Sequence, residues 1–169
     1  MADQRKYLLD SNVFMQAHRL YYGFDICPGF WTAILRQNAA SRIFSIDRVQ
    51  QEIAEGNDQL KKWAQSDAPD TFFRKTNAKA IVDQFGKMIT WVQGNSQYTP
   101  AAKAEFATVA DGWLIACAKS EGLIVVTHEA YDPNTKRKVP IPNVCHEFGV
   151  EYIDTFQMLR ELRIQFDLK

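Results

Sequence analysis

Short apolar runs alternate with amphipathic segments along most of the chain, and this alternation constrains the fold more than any other feature. Four apolar runs, at residues 6–9, 43–46, 123–127 and 150–153, end in polar or glycine-containing turns and predict short strands. The clearest helical segment covers residues 110–120, where apolar side chains recur at helical spacing. Strands that alternate with helices predict a parallel sheet with crossover helices.

Turn and capping signals place the remaining elements. Thr99 suits the N-cap of a helix that begins at Pro100. Asp47 and Gln50 have the spacing of a capping box, and Gly56 and Gly122 are expected to end helices. The other predicted helical segments are residues 13–17, 30–38, 48–55, most of 59–93, and 155–166, and a long loop is expected over residues 132–142.

Length and composition favour one ordinary domain. The chain has 169 residues without an internal linker, so a single domain over residues 1–169 is expected. Its 20 Lys and Arg balance 20 Asp and Glu, so phosphate binding would depend on local basic clusters or metal. Cys27, Cys117 and Cys145 form no close pair in sequence, which favours reduced thiols in the cytoplasm. No apolar run reaches about 18 residues, so a membrane span is not expected.

Acidic residues fall near the ends of the predicted strands. Asp10 ends the first strand, and Glu129 follows the strand that starts at Leu123. Asp111 lies in the first turn of the helix before that strand, and Glu52 lies at the edge of the apolar stripe of the helix after the second strand. Since ligands of open α/β sheets bind outside the carboxyl ends of the strands, the four acids are expected to share one cleft.

Each acid also has an ordinary structural explanation. Asp10 could form a turn or cap the next helix, and Asp111 could complete a capping box with Thr108. Glu52 could be a solvated helix residue, and Glu129 an ordinary loop acid. The functional interpretation therefore depends on the convergence of all four.

A cleft with several carboxylates requires cations, because buried like charges are costly. Hard divalent cations such as Mg²⁺ take oxygen ligands, and they can activate water and stabilise the attacking and leaving oxygens of a phosphodiester. Zinc is not expected, because the histidines and cysteines lack paired ligand spacing. The residues thus predict hydrolysis of a phosphodiester, with a phosphatase or DNA nuclease as further alternatives on the same acids.

Three segments resemble, in order, the motifs of PIN domains. They are the strand ending in Asp10-Ser11-Asn12, the helix that carries Glu52, and Ala110-Asp111 followed by the strand from Leu123. The resemblance implies a three-layer α/β/α fold with a central, mainly parallel sheet of four to five short strands. It also implies an Mg²⁺- or Mn²⁺-dependent endoribonuclease, often the toxin of a toxin–antitoxin pair, as in VapC proteins.

The resemblance also assigns roles to residues. Asp10, Glu52 and Asp111 would be catalytic, metal-binding acids, with support from Ser11 or Asn12, and Thr127 would line the site. Where most PIN domains have Thr-x-Asp, this chain has Thr127-His128-Glu129, in which Glu129 would be the fourth acid with a longer reach. This motif and the basic segment after it resemble one PIN-like subfamily. The implied partners are RNA as substrate, an antitoxin protein and a second copy of the chain.

Several features keep more than one interpretation. Lys136, Arg137 and Lys138 form the densest basic cluster, either a phosphate-contacting flap or a solvated loop tip. His128 either orients phosphate or water near the acids or is an ordinary loop histidine. An aromatic segment over residues 21–31 packs in the core, binds a partner or stacks on bases. The alternative function is a PIN-like binding module without catalysis that acts through a protein partner.

Overall fold

The structure is a computed structural model that describes residues 4–168, and its centre is one all-parallel sheet. The strands, in spatial order β3-β2-β1-β4-β5, are β1 (Tyr7–Leu9), β2 (Ile43–Ile46), β3 (Phe73–Arg74), β4 (Ile124–Val126) and β5 (Tyr152–Ile153). The α-helices are α1 (Ser11–Gln16), α2 (Pro28–Ala39), α3 (Asp47–Ala54), α4 (Gln59–Lys62), α5 (Lys79–Gln93), α6 (Pro100–Thr108), α7 (Asp111–Glu121), α8 (Ile141–Phe148) and α9 (Thr155–Glu161). Wider π-helical turns extend α1 over Ala17–Tyr21 and α4 over Trp63–Asp67, and a 3₁₀ turn covers Asp70–Phe72.

The central strand β1 is covered on both faces. Its residue Leu8 pairs with Phe44 of β2 on one side and with Val125 of β4 on the other. All three residues of β1 are fully buried, although successive side chains point to opposite faces of a sheet. Helices therefore cover both faces, and the predicted three-layer α/β/α class is confirmed, with five parallel strands.

The predicted capping signals of two helices are confirmed. Thr99 Oγ1 accepts a hydrogen bond from the backbone N–H of Ala102 (3.1 Å), and Pro100 begins α6. Gly122 follows α7 in the left-handed region, at φ +68°, where glycine has no steric penalty. These signals fix the segment that leads from α6 through α7 to β4.

The predicted capping box at Asp47 is wrong. Asp47 is the first residue of α3, and its carboxylate accepts hydrogen bonds from Thr76 N (3.2 Å) and Thr76 Oγ1 (2.9 Å). Gln50 donates instead to the carbonyl of Ala64 (3.1 Å). A long-range partner thus replaces the local one that the spacing favoured.

Three element boundaries also differ from the prediction. The strand β3 lies inside the stretch expected to be mostly helical, and its two residues are too few to show a periodic pattern. The helix α8 begins at Ile141, inside the predicted loop, with proline in its first turn. The last helix ends at Glu161 rather than at residue 166.

None of the helices within residues 4–168 is long and apolar enough to cross a bilayer. Cys27, Cys117 and Cys145 are free thiols, as expected. Burial raises the pKa values of Cys117 and Cys145 to about 12, so both stay protonated and unreactive at neutral pH.

Candidate functional site

The strand order creates a crevice between the carboxyl ends of β1 and β4. From β1 the chain adds β2 and β3 on one side of the sheet and β4 and β5 on the other. Ligand sites of open α/β sheets lie at such a reversal of strand order. The backbone N–H of Asp10 donates to the carbonyl of Val126 (3.0 Å), which joins the two strand ends directly.

Asp10 lies at the floor of this crevice and is only 2% exposed. Its carboxylate accepts hydrogen bonds from Thr127 Oγ1 (3.2 Å) and Ser11 Oγ (3.4 Å). Asp10 precedes α1, but its side chain does not cap that helix. Burial and the nearby charges of Glu129 and Glu52 raise its pKa to about 7, although hydrogen bonds from Thr127 and Ser11 oppose the shift.

Glu129 reaches the same cluster from the loop after β4. Its backbone N–H donates to Thr127 Oγ1 (3.1 Å), so the Thr127 hydroxyl connects Glu129 to Asp10. The Glu129 carboxylate accepts from the Ile141 backbone N–H (3.0 Å) and forms an ion pair with Lys138. With a side chain only 12% exposed, Glu129 differs from a solvated loop acid.

Glu52 and Asp111 enter from the helices. Glu52 Oε1 accepts from the backbone N–H of Ala110 (2.9 Å), just before α7, so Glu52 is not a freely solvated helix residue. Asp111 is the first residue of α7, and burial together with Asp10, Glu129 and Glu52 raises its pKa to about 8. The alternative of a capping box with Thr108 is wrong, because the Thr108 hydroxyl donates to the carbonyl of Glu105 (2.9 Å).

A cavity of about 160 Å³ adjoins the cluster. Its polar lining includes Asn12, Glu52, Asp111 and Lys138. Helix α6 supplies a wall with two apolar residues, Ala102 and Phe106, and a further acid, Glu105, and the loop before α8 supplies Val139. Ser11 and Asn12, the residues predicted to support Asp10, have different roles. Ser11 hydrogen-bonds Asp10, whereas Asn12 lines the cavity.

The remaining predicted residues lie around the cluster. The His128 ring bonds Thr155 Oγ1 (2.9 Å) and packs against Tyr21 and Phe156, so these contacts hold it toward α9. Burial lowers the pKa of His128, which favours the neutral ring at neutral pH. Lys136 and Arg137 remain exposed on their loop.

Most of the aromatic segment packs internally, as one of its interpretations predicted. Tyr22 stacks on Phe30 with ring centroids 4.5 Å apart, and Phe24 stacks on Trp31 at 4.1 Å. Tyr21 is different, because 48% of it is exposed. The Tyr21 ring therefore lies partly at the surface, beside His128.

Sequence reasoning missed two components of the site, the α6 wall and the approach of Lys138 to Glu129. In the α6 wall, Ala102 and Phe106 carry no chemical signature, and Glu105 lies outside the motifs that pointed to the other acids. The position of Lys138 depends on how its loop returns to the sheet edge, and a basic tripeptide carries no signal of that path. Glu129 and Lys138 lie close in sequence, which indicates that they belong to one loop but does not predict that they form an ion pair.

The donor chemistry of the cluster fits a hard divalent cation, while its present arrangement does not ligate one. Within residues 4–168, no three His, Cys, Asp or Glu side chains are arranged to hold a metal ion. The cluster nevertheless offers four carboxylates, two of them with pKa values raised toward neutrality, and a lysine ammonium already supplies positive charge there. Carboxylate oxygens are the ligands that Mg²⁺ and Mn²⁺ prefer.

The fold and the site define a parallel α/β domain with a carboxylate cluster at the reversal point of its sheet. Residues 7–166 match the family model described as a domain of unknown function, DUF4411, and the chain belongs to that family. The match includes all five strands and all four acids. No curated protein matches the chain.

Proposed function

We propose that this protein is a metal-dependent endoribonuclease of the PIN type that hydrolyses RNA phosphodiesters. The observation that carries the proposal is the convergence of Asp10, Glu52, Asp111 and Glu129 from four separate segments of the chain. Burial and mutual repulsion raise the pKa values of Asp10 and Asp111 to about 7 and 8, which is the electrostatic condition that a bound cation relieves.

Hydrogen bonds hold three of the four acids at the crevice. Thr127 and Ser11 orient Asp10, the Ala110 N–H orients Glu52, and the Ile141 N–H orients Glu129. The four carboxylates would hold Mg²⁺ or Mn²⁺, and the bound cation would supply an activated water and charge stabilisation for the attacking and leaving oxygens. Asn12, on the cavity wall, offers an amide that can hydrogen-bond the substrate.

The assignment of RNA as substrate rests on the PIN resemblance together with local features of the surface. Lys136 and Arg137 are exposed on the loop that carries Lys138, where they can contact RNA phosphates. Such a local basic cluster matters because the overall charge of the protein is balanced. The same resemblance supports a toxin role with an antitoxin protein as partner, a homodimer, and a cytoplasmic location. The free cysteines agree with a reducing compartment.

Cleavage of RNA in the presence of Mn²⁺ or Mg²⁺ tests the proposal. The Asp10→Asn and Asp111→Asn variants should each cut a fluorescence-quenched single-stranded RNA about 100-fold more slowly than wild type, because each loses a metal-binding charge. Asp83→Asn, which changes an exposed acid on α5, is the matched control and should keep the wild-type rate. An Asp10→Asn protein as fast as wild type would refute the proposal. Parallel assays with single-stranded DNA and a phosphate monoester separate a ribonuclease from a DNA nuclease or phosphatase.

A second candidate function is a PIN-like binding module without catalysis. The ion pair between Lys138 and Glu129 favours it, because the cluster already contains a neutralising cation. This function predicts tight association with a protein partner in the presence of EDTA and no cleavage of any nucleic acid. Metal-dependent cleavage that Asp10→Asn abolishes would exclude it.

A further inference from the structure

Lys138 brings a positive charge into the acidic cluster from the solvent side. Its ammonium pairs with Glu129, and its side chain is 52% exposed whereas that of Glu129 is 12% exposed. The lysine also lines the cavity together with Glu52 and Asp111. The ammonium therefore contacts a largely buried carboxylate while about half of the lysine side chain remains exposed.

We propose that the Lys138 ammonium is the counter-ion of the cluster in the metal-free protein, and that a divalent cation binds by displacing it. The inference rests on the proposed metal centre. It accounts for two observations together. The acids have a cation beside them, yet within residues 4–168 they are not arranged as metal ligands. Departure of the ammonium frees a Glu129 oxygen as a donor.

The position of Lys138 agrees with this role. Its ammonium pairs with Glu129, and its side chain lines the same cavity as Glu52 and Asp111. A divalent cation carries twice the charge and accepts several oxygen donors at once, so it competes for the same position.

The exchange requires only a side-chain movement, because other contacts hold the loop backbone. Asp132 and Asn143 are joined by two hydrogen bonds, from Asp132 N (3.0 Å) and from Asn143 Nδ2 (2.8 Å). The carbonyl of Lys136 accepts from Thr99 N (2.9 Å), and Glu129 binds Ile141 N–H. After displacement, the ammonium stays at the rim of the cavity, where a substrate phosphate would be its next partner.

Titration of Mn²⁺ into metal-stripped protein by calorimetry tests the displacement. Lys138→Met should bind Mn²⁺ about 10-fold more tightly than wild type, because the competing charge is gone while most of the stem remains. Lys138→Arg retains the charge and should bind like wild type or more weakly. Lys87→Met, at an exposed position on α5, is the control for loss of a surface lysine and should leave the affinity unchanged. Adding Asp10→Asn to Lys138→Met should remove the tight binding, which assigns it to this cluster.

The outcomes separate this inference from the proposed function. If wild type binds Mn²⁺ and Lys138→Met binds equally or more weakly, the displacement is refuted and the metal centre stands. If neither protein binds, and thermal melts show both folded, the displacement and the metal centre are both refuted. Lys138→Gln serves as the second neutral variant if Lys138→Met melts below the assay temperature.

Discussion

The hydroxyl of Thr127 connects the two acidic strand ends at the scale of a single residue. It donates to Asp10 Oδ2 and accepts from the backbone N–H of Glu129. Thr127 is itself buried, so neither partner can exchange this contact for bulk water. The hydrogen bond from the Thr127 hydroxyl favours the ionised form of Asp10. Without it, burial would raise the pKa of Asp10 further.

Replacing Thr127 with valine should destabilise the fold by about 1–3 kcal/mol, because buried polar groups lose their partner. The loss should be larger at pH 8.5 than at pH 5, since the hydroxyl stabilises the carboxylate of Asp10 and not its protonated form. Urea unfolding at the two pH values measures both effects. Thr127→Ser keeps the hydroxyl and should retain most of the stability. Equal losses for Thr127→Val at both pH values would contradict the role of the donor.

The predictable part of the site consists of residues whose positions follow from strand ends. Asp10 and Glu129 were expected to meet because parallel strands end at the same edge of a sheet, and hydrogen bonds through Thr127 connect them. Lys138 was expected either as a phosphate contact or as part of a solvated loop tip, and its pairing with Glu129 was not foreseen. The path of a loop depends on tertiary contacts, and these produce no periodic pattern in the sequence.

At the scale of elements, the position of Asp111 depends on how closely α7 approaches its neighbours. Gly112 is the next residue, and a Cβ added there would lie 2.9 Å from Phe85 Cε2 and 3.1 Å from Phe106 Cε1. Phe85 cannot retreat easily, because its ring stacks on Trp113 with centroids 3.8 Å apart. Because Gly112 has no side chain, α5 and α6 can pack against the start of α7.

Gly112→Ala should therefore destabilise the protein by about 1–3 kcal/mol through overpacking, even though alanine is the better helix former. Gly86→Ala is the matched control in α5, because nothing lies within 4 Å of its added Cβ. That control should stabilise the fold by about 0.5–1 kcal/mol. Chemical denaturation measures both variants. A Gly112→Ala protein that gains as much stability as Gly86→Ala would show that α7 has room to move.

Elements with strong local signals were predicted, and those that depend on distant partners were not. The α7 helix follows from the spacing of its apolar residues and its end from Gly122, whose positive φ the structure shows. By contrast, β3 exists because residues 73–74 pair with Ser45 and Ile46 of β2. The α8 helix begins where Glu129 binds the Ile141 N–H, a contact from outside the helix. In these cases the tertiary partner, rather than local propensity, decides the conformation.

At the scale of the whole molecule, the charge balance hides a strong local imbalance. The formal net charge is +0, yet Asp10, Glu52, Asp111 and Glu129 lie together with Lys138 as their nearby cation. The net charge of the protein therefore does not predict how its stability depends on pH. Asp10 and Asp111, whose pKa values are raised, are expected to make large contributions to this pH dependence.

Metal-stripped protein should become less stable as pH rises from 5 to 8.5. Asp10 and Asp111 have ordinary values near 3.8 and folded pKa values of about 7 and 8, so over this range the folded state binds more protons than the unfolded state. One pKa unit corresponds to about 1.4 kcal/mol, so the Tm should fall by more than about 5 °C.

Thermal melts in EDTA across this pH range measure the effect. The double variant Asp10→Asn/Asp111→Asn should lose most of the pH dependence, whereas Asp83→Asn should keep it. A double variant whose Tm falls as steeply as that of wild type would assign the dependence to other groups.

The pairing of β1 with β4 also determines when the site can form during folding. Asp10 and Thr127 are separated by 117 positions in the chain, and β1 and β4 are neighbours in the sheet. Closing so long a loop is slow, and local helices can form well before it. The acids therefore remain hydrated through the early stages of folding, and their mutual repulsion is felt only when the centre of the sheet closes. The repulsion among the acids therefore opposes the pairing of β1 with β4, and it does not oppose the formation of the local helices.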